Sequence, residues 1–62
     1  MFTAADLRLA LRDLKMKQRA FARHIDYSPE QVNRWTRGKK PIPTWVEHVV
    51  SQLRTEQESD AN

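Results

Sequence analysis

The fold of this chain is decided by residues 18–38, which read QRAFARHIDYSPEQVNRWTRG. Apolar residues recur there at helical spacing in two short runs, Gln18–Ile25 and Pro29–Arg37, which are separated by a corner of three residues. Two short helices joined by so tight a corner are typical of a helix-turn-helix unit. The pattern therefore predicts such a unit at the centre of the chain.

The second of these helices carries its own start and stop signals. Ser28 is a preferred N-cap, Pro29 suits the first helical position, and Gln31 can complete a capping box. Gly38, the only glycine in the chain, is the expected left-handed stop. Asp26 tolerates the tight left-handed conformation that the corner between the two helices requires.

Two further helices are predicted outside this unit. The first covers about residues 4–15, behind a weak capping box formed by Thr3 and Asp6. Pro41-Ile42-Pro43 then forces an extended connector after the central unit, because each proline biases the preceding residue away from helix. The last helix opens with a second capping box over residues 44–47.

These elements predict an all-α fold, a compact four-helix helix-turn-helix domain over residues 1–54. Residues 55–62 are polar and acidic without periodicity, so we expect a disordered tail there. The apolar residues are expected to form one core: Leu7, Ala10, Leu11, Leu14, Phe21, Ala22, Ile25, Tyr27, Val32, Trp35, Ile42, Val46, Val49, Val50 and Leu53.

The composition excludes several classes of protein. A chain of 62 residues allows one small domain, and the absence of cysteine removes disulfides and thiolate metal sites. No run approaches the ~18 apolar residues of a membrane span. His24 and His48 are isolated, and no Ser-His-acid arrangement is available. We therefore expect a cytoplasmic protein that is not an enzyme, with no metal, cofactor, membrane contact or small-molecule ligand.

Positive charge is concentrated in the middle of the chain. The net charge is +3, yet residues 15–40 carry eight Lys and Arg residues against two acidic residues. A basic centre of this density favours a polyanionic partner, with nucleic acid first and an anionic membrane surface second. A merely solvated surface is the alternative on charge alone.

The order of residues in 18–38 resembles the helix-turn-helix of the Cro/C1-type (Xre-like) repressors. The resemblance extends over about residues 5–53 and implies a lambda repressor-like fold and a role in transcription regulation. Small versions of this kind resemble phage-type and anti-CRISPR-associated regulators. The matching positions are an opening glutamine, a small residue at the helix crossing, an apolar pair and a basic exit: Gln18, Ala22, Val32, Trp35, Arg37, Gly38, Lys39, Lys40 and Pro41.

Three features depart from the pattern of that family. Asp26 stands where the family usually has glycine, so slight strain is expected in the turn. Pro29 and Trp35 are unusual in the second helix of the motif. No fifth helix is predicted after the fourth, so we expect a minimal version of the fold.

The resemblance implies that the second helix is a recognition helix in the major groove of double-stranded DNA. Arg34 suits a bidentate contact to guanine, and Glu30 can accept a hydrogen bond from cytosine N4. Asn33 and Gln31 suit adenine, although Gln31 is equally suited to its capping box. The residues expected at the DNA backbone lie at helix starts and in the basic exit: Gln18, Arg19, Ser28, Arg37, Lys39 and Lys40.

One recognition helix reads only a few base pairs, so we expect a homodimer on a palindromic operator. The last helix is expected to form the dimer interface, through Trp45, Val49 and Leu53. Trp45 is equally placed to cap the core, although tryptophan is favoured at interface centres. Two alternatives stay open: a protein-binding module of the same fold, of antitoxin or inhibitor type, and a non-specific nucleic-acid binder.

Overall fold

The structure, a computed structural model, describes residues 2–60 of the chain and the side chains of residues 2–57. Within residues 2–60 all regular structure is helical, which confirms the predicted all-α class with four helices. Two short helices lie at the centre of the chain, between one helix before them and one after them. The bounds of the four helices are α1 Ala4–Asp13, α2 Gln18–Ile25, α3 Pro29–Thr36 and α4 Thr44–Asp60.

The start of α1 has the predicted capping box. The Thr3 backbone N–H donates to Asp6 Oδ2 at 2.8 Å, and Thr3 Oγ1 accepts from the Asp6 backbone N–H at 3.2 Å. Two of the free N–H groups at the helix start are therefore satisfied. The hydrogen bond from the Thr3 backbone N–H stabilises the carboxylate and lowers the pKa of Asp6 from its ordinary value.

The capping predictions for the other helices are only partly correct. Ser28 Oγ accepts from the Gln31 backbone N–H at 3.2 Å, and Pro29 occupies the first turn. The Gln31 side chain makes no return hydrogen bond within the described part of the chain, so the box is half formed. The box predicted over residues 44–47 is wrong, because Thr44 already lies inside α4. The first turn there is closed by a hydrogen bond from the Val46 N–H to the Pro43 carbonyl, at 3.1 Å.

The first three helices end in the same way, in a left-handed residue at Lys15, Asp26 and Gly38 with φ of 56°, 62° and 73°. In each case that residue's N–H donates to the carbonyl three residues back, and the next N–H donates to the carbonyl five residues back. This is the Schellman arrangement, which satisfies the last carbonyls of a helix. Asp26 and Gly38 were expected in this role. Lys15 was expected to be helical, because lysine gives no turn signal.

The core lies where α3 packs against α1 and α2, with the first half of α4 closing it. Phe21 and Trp35 are the largest buried side chains, and both were predicted to be in the core. Ile25, Ile42, Val49 and Leu53 are only partly buried at the edge of the core. The buried apolar residues are Leu7, Ala10, Leu11, Leu14, Phe21, Ala22, Val32, Trp35, Val46 and Val50.

Tyr27 was predicted to be in the core, and this prediction is wrong. Its side chain is 43% exposed, and its ring lies against two tryptophans, with centroid distances of 5.4 Å to Trp35 and 5.3 Å to Trp45. Tyr27 follows the left-handed residue Asp26, so the chain has already turned away from the inner stripe of α2. The tyrosine ring therefore covers the buried Trp35 from outside.

The disordered tail predicted for residues 55–62 is not what the structure has over residues 55–60, which continue α4. Two contacts, one from Gln57 and one from Arg54, hold the second half of α4 to the end of α1. Gln57 Nε2 donates to the Leu14 carbonyl at 3.0 Å, and Arg54 forms an ion pair with Asp13 at 3.0 Å. These polar contacts replace the apolar stripe that the prediction required. Residues 61 and 62 lie outside the described residues.

Candidate nucleic-acid interface

The outer face of α3 is polar because its two large apolar residues, Val32 and Trp35, are buried on the other side of the helix. Val32, Trp35 and Thr36 are buried on one side of the helix. Residues at spacings of three, four and seven lie together on a helix, so the opposite side forms a single face. Three of its four residues are exposed and one is half-buried. The face consists of Glu30, Asn33, Arg34 and Arg37.

This face forms one wall of an open groove, which we call the α3 groove. The start of α2 supplies the other wall, and the chain after α3 closes one end. Four cationic side chains and one carboxylate line the groove, and seven of the ten residues predicted to contact DNA lie in it. The lining residues are Gln18, Arg19, Pro29, Glu30, Asn33, Arg34, Arg37 and Lys39.

Three of the predicted DNA contacts do not line the α3 groove. Gln31 is half-buried at the edge of α3, between the outer face and the core. Ser28 lies at the N-cap, where its hydroxyl oxygen accepts from the Gln31 N–H. Lys40 is exposed in the connector after α3. Of the four residues predicted to contact bases, Glu30, Asn33 and Arg34 therefore line the α3 groove, and Gln31 does not.

A hydrogen-bonded network fixes the floor of the α3 groove. Asn33 Nδ2 donates to Gln18 Oε1 at 3.1 Å, and Gln18 Nε2 donates to Thr36 Oγ1 at 3.2 Å. Thr36 Oγ1 in turn donates to the Asn33 carbonyl at 2.9 Å. The Arg8 guanidinium, from α1, donates to the Thr36 carbonyl. The network thus ties α1 and α2 to the inward edge of α3.

Arg8 and Thr36 belong to this network, and the sequence analysis did not find them. Thr36 is 2% exposed, and its place one residue after Trp35 and four after Val32 marks it as inward-facing. That spacing was the available signal. Arg8 lies off the apolar stripe of α1, and nothing in the local sequence shows that it reaches a residue 28 positions away.

The cations of the α3 groove form no ion pair with a carboxylate among the side chains of residues 2–57. Among the side chains of residues 2–57, the ion pair present is Arg54–Asp13, between α4 and α1. The cations in the groove, Arg19, Arg34, Arg37 and Lys39, therefore face solvent without a carboxylate partner among those residues. Such a concentration of one sign raises the local positive potential and attracts polyanions.

A second groove, which we call the α2–α4 groove, contains all three residues predicted at a dimer interface. Trp45 is 37% exposed, and Val49 and Leu53 are half-buried along the same side of α4. Ile25, at the end of α2, contributes a fourth apolar side chain. The groove is lined by His24, Ile25, Trp45, Val49, Gln52, Leu53 and Glu56.

Within residues 2–57 no three His, Asp or Glu side chains lie close enough together to hold a metal ion. His24 and His48 are both exposed. Among residues 2–60 no helix combines the length and apolar character needed to cross a bilayer.

No protein-family model, curated protein or solved structure matches this chain. A functional proposal therefore depends on the residues and geometry of the α3 groove and the α2–α4 groove.

Proposed function

We propose that this protein is a sequence-specific regulator of transcription that binds double-stranded DNA and represses by occupying an operator. The observation that supports this most strongly is the outer face of α3. A short helix, capped at both ends, presents Glu30, Asn33, Arg34 and Arg37 to solvent in an open cationic groove. The major groove of B-DNA, about 12 Å wide, accepts an α-helix and exposes a distinct pattern of donors and acceptors for each base pair.

The side chains on this face match base edges chemically. Arg34 is exposed and outside any ion pair among the described residues, so its guanidinium is available for guanine O6 and N7. Glu30 offers carboxylate oxygens to cytosine N4, and Asn33 offers an amide to adenine. A set with donors, acceptors and both charges is what discrimination among bases needs. A binder without sequence preference needs only the cations.

Contacts to the DNA backbone would come from both sides of α3. Arg19 lies at the start of α2, and Arg37 and Lys39 lie at the other end of the α3 groove. Lys40 follows in the exposed connector, and the Ser28 hydroxyl lies at the start of α3. Phosphate contacts at both ends of a recognition helix set its depth and register in the groove without reading sequence.

We further propose that the protein acts as a homodimer on an inverted-repeat operator. One copy of α3 offers too little surface for a specific affinity of ~10⁻⁸ M or better. The α2–α4 groove supplies an apolar surface for a second copy through Trp45, Val49 and Leu53. Two-fold pairing would present two α3 helices about 34 Å apart, one turn of DNA.

Selection of bound duplexes from a random pool tests the proposal. The wild-type protein should enrich a palindrome whose half-sites are about one DNA turn apart. A variant with Asn33→Ala and Arg34→Ala is the matched control, because both side chains lie on the outer face and their removal leaves the core intact. The control should stay folded and enrich no palindrome. Uniform recovery of all duplexes by the wild type would contradict sequence-specific binding.

A protein-binding module of antitoxin or inhibitor type is the second candidate, and the α2–α4 groove is the observation that favours it. A half-exposed tryptophan beside two aliphatic side chains is the kind of anchor that protein interfaces use. The two functions separate by variant. Partner binding in such a module would be lost in Trp45→Glu and retained in Arg34→Ala, whereas operator binding would be weakened in both.

A further inference from the structure

The hydrogen bonds among Gln18, Asn33 and Thr36 run in one direction only. The Thr36 hydroxyl has a single proton, which it donates to the Asn33 carbonyl at 2.9 Å. Thr36 Oγ1 can therefore only accept from the Gln18 amide, at 3.2 Å. That contact requires the NH₂ group of Gln18 to face Thr36, so Oε1 of Gln18 faces Asn33 and must accept from Asn33 Nδ2, at 3.1 Å.

Reversal of this chain of hydrogen bonds requires three groups to turn together, the Thr36 hydroxyl and the amides of Gln18 and Asn33. Thr36 is 2% exposed, and its carbonyl is held by the Arg8 guanidinium from α1. A flip of Gln18 alone, with Thr36 and Asn33 unchanged, would set its carbonyl oxygen against the Thr36 oxygen and its NH₂ group against that of Asn33. Each contact would then leave a partly buried polar atom without its partner, which costs more than the bond itself contributes.

The consequence appears at the exposed end of Asn33. A side-chain amide has two N–H donors and one carbonyl acceptor. One N–H of Asn33 is taken by Gln18 Oε1, so one N–H and the Oδ1 atom are left for the α3 groove, which Asn33 lines. Adenine presents the complement in the major groove, the N7 acceptor beside the N6 donor.

We propose that Gln18 and Thr36 are positioning residues that hold the Asn33 amide in the orientation that reads adenine. The inference rests on the proposed function, because it concerns the same groove and the same DNA. It adds that one base preference in each half-site depends on α2 and on a buried hydroxyl, neither of which touches that base. Gln18 keeps a second N–H for a phosphate oxygen, so its effects on affinity and on preference are separable.

The test measures the ratio of affinities for different base pairs at one position. A phosphate contact contributes equally to each of these affinities, so it does not change the ratio. Affinities are measured for the selected duplex and for the other three base pairs at the position that Asn33→Ala relaxes. The wild type should prefer A·T there by about 5- to 150-fold, as expected for one bidentate contact. Gln18→Met, a replacement of similar size that forms neither hydrogen bond, should lose most of that preference and leave the other positions unchanged.

Two further variants complete the design. Thr36→Val keeps the buried shape and removes the hydroxyl, so it should lose preference at the same base pair, with circular dichroism verifying its fold. The double variant Gln18→Met with Asn33→Ala should have the same base preference at this position as Asn33→Ala alone. Gln18 acts on this preference through Asn33, so its replacement has no further effect once Asn33 is gone. Arg19→Gln is the matched control from the same turn of α2, and it should weaken all four base pairs equally.

Each alternative outcome is distinct. If Gln18→Met weakens all four base pairs by the same factor, Gln18 is a phosphate contact only and the inference is overturned while the proposed function stands. If Asn33→Ala relaxes no position in a protein that still selects a palindrome, the inference is overturned at Asn33 itself. If the wild type prefers no duplex, the proposed function fails, and the inference fails with it.

Discussion

The α3 groove and the α2–α4 groove share one helix and have opposite character. The first half of α2 supplies Gln18 and Arg19 to the α3 groove, and the end of α2 supplies His24 and Ile25 to the other. One groove is polar, carries four cations and is fixed by hydrogen bonds. The other is apolar around Trp45. The unpaired positive charges of the α3 groove favour binding to a polyanion. The exposed apolar surface of the α2–α4 groove favours binding to another protein surface.

Trp45→Glu is the variant expected to have the largest effect on function, and it acts on the α2–α4 groove alone. Placing a carboxylate in the apolar groove should prevent pairing with a second copy, because the charge would have to be desolvated at the interface. We expect a folded monomer whose operator affinity falls towards the non-specific level, by about a thousandfold or more. Sedimentation and a binding titration measure the two effects.

Leu9→Glu is the matched control for that variant. Leu9 is also an exposed large apolar side chain, at 55%, but it lies on α1 outside both grooves. It should leave association and operator binding unchanged. Binding of the wild type to its best duplex as a single copy would remove the functional difference between the two grooves.

Trp35→Ala should disrupt both grooves together, because Trp35 is the largest buried side chain of α3 and packs against Trp45. Its side chain is 1% exposed, and its ring meets Trp45 edge-on at a centroid distance of 6.1 Å. Truncation of a buried tryptophan typically costs ~3–5 kcal/mol, a large share of the stability of a domain this small. Urea denaturation followed by circular dichroism measures the loss. An unfolding midpoint like that of the wild type would contradict the packing described here.

Arg34→Ala should affect the α3 groove alone and leave stability unchanged, because the side chain is exposed. We expect a loss of ~1–3 kcal/mol on the best duplex and relaxed preference at one position in each half-site. Competition titrations against single-base variants of the operator measure the preference.

The double change Lys39→Ala and Lys40→Ala is the comparison for Arg34→Ala. It should weaken all duplexes about equally and reduce the salt dependence of binding by up to ~1 per lost phosphate contact. If Arg34→Ala also weakens every duplex alike, Arg34 contacts the backbone and the division between reading and positioning residues is wrong.

Lys15→Gly should raise stability without changing either groove's function. Lys15 is held at φ 56°, a conformation that glycine adopts without the penalty that a Cβ brings. Glycine also loses more entropy on folding, so we expect a net gain of roughly 0.5–1 kcal/mol in the free energy of unfolding. Lys17→Gly is the control, because Lys17 has a φ of −79°, which any residue adopts without strain. The stability of this variant should be lower than that of the wild type or unchanged. A loss of stability in Lys15→Gly would contradict strain at this turn.

The smallest expected effect is the pH dependence of the α1 cap, remote from both grooves. The hydrogen bond from the Thr3 backbone N–H lowers the pKa of Asp6 from its ordinary value in the folded state. The ionised carboxylate therefore stabilises the fold above the pKa of the unfolded chain, and this contribution is lost as the pH falls through the lower folded value. Asp6→Asn should remove that part of the acid sensitivity below about pH 4. Urea midpoints at pH 6 and at pH 3, compared between the two proteins, measure it.

The central pair of helices, α2 and α3, was the best-predicted part of the molecule. The bounds of α2 agree with the sequence prediction, and α3 ends one residue earlier than predicted. The signals at Ser28, Pro29 and Gly38 act within a few residues, so the local sequence contains them. Seven of the ten predicted DNA contacts were also brought together in the α3 groove, because helical periodicity decides which residues share a face.

Besides the two capping boxes, several failures involve partners that are distant in sequence or turns whose effect the local sequence does not show. The Arg8 guanidinium reaches the Thr36 carbonyl over 28 positions, and Gln57 reaches Leu14 over 43, so neither contact has a local signal. Lys15 adopts a left-handed turn without being a residue that favours one. Tyr27 has an apolar ring, yet the turn before it leaves that ring on the surface.

The sequence by itself therefore determined four helices, the caps of the central pair and the polar face of α3, because periodicity and capping are interactions between near neighbours. Only the tertiary structure decided how that face is held. The contact between α2 and α3 brings Gln18 to Asn33 and Thr36, and the packing of α1 adds Arg8. Hydrogen bonds between helices depend on distances that the folded core sets, and a buried donor or acceptor needs its partner there.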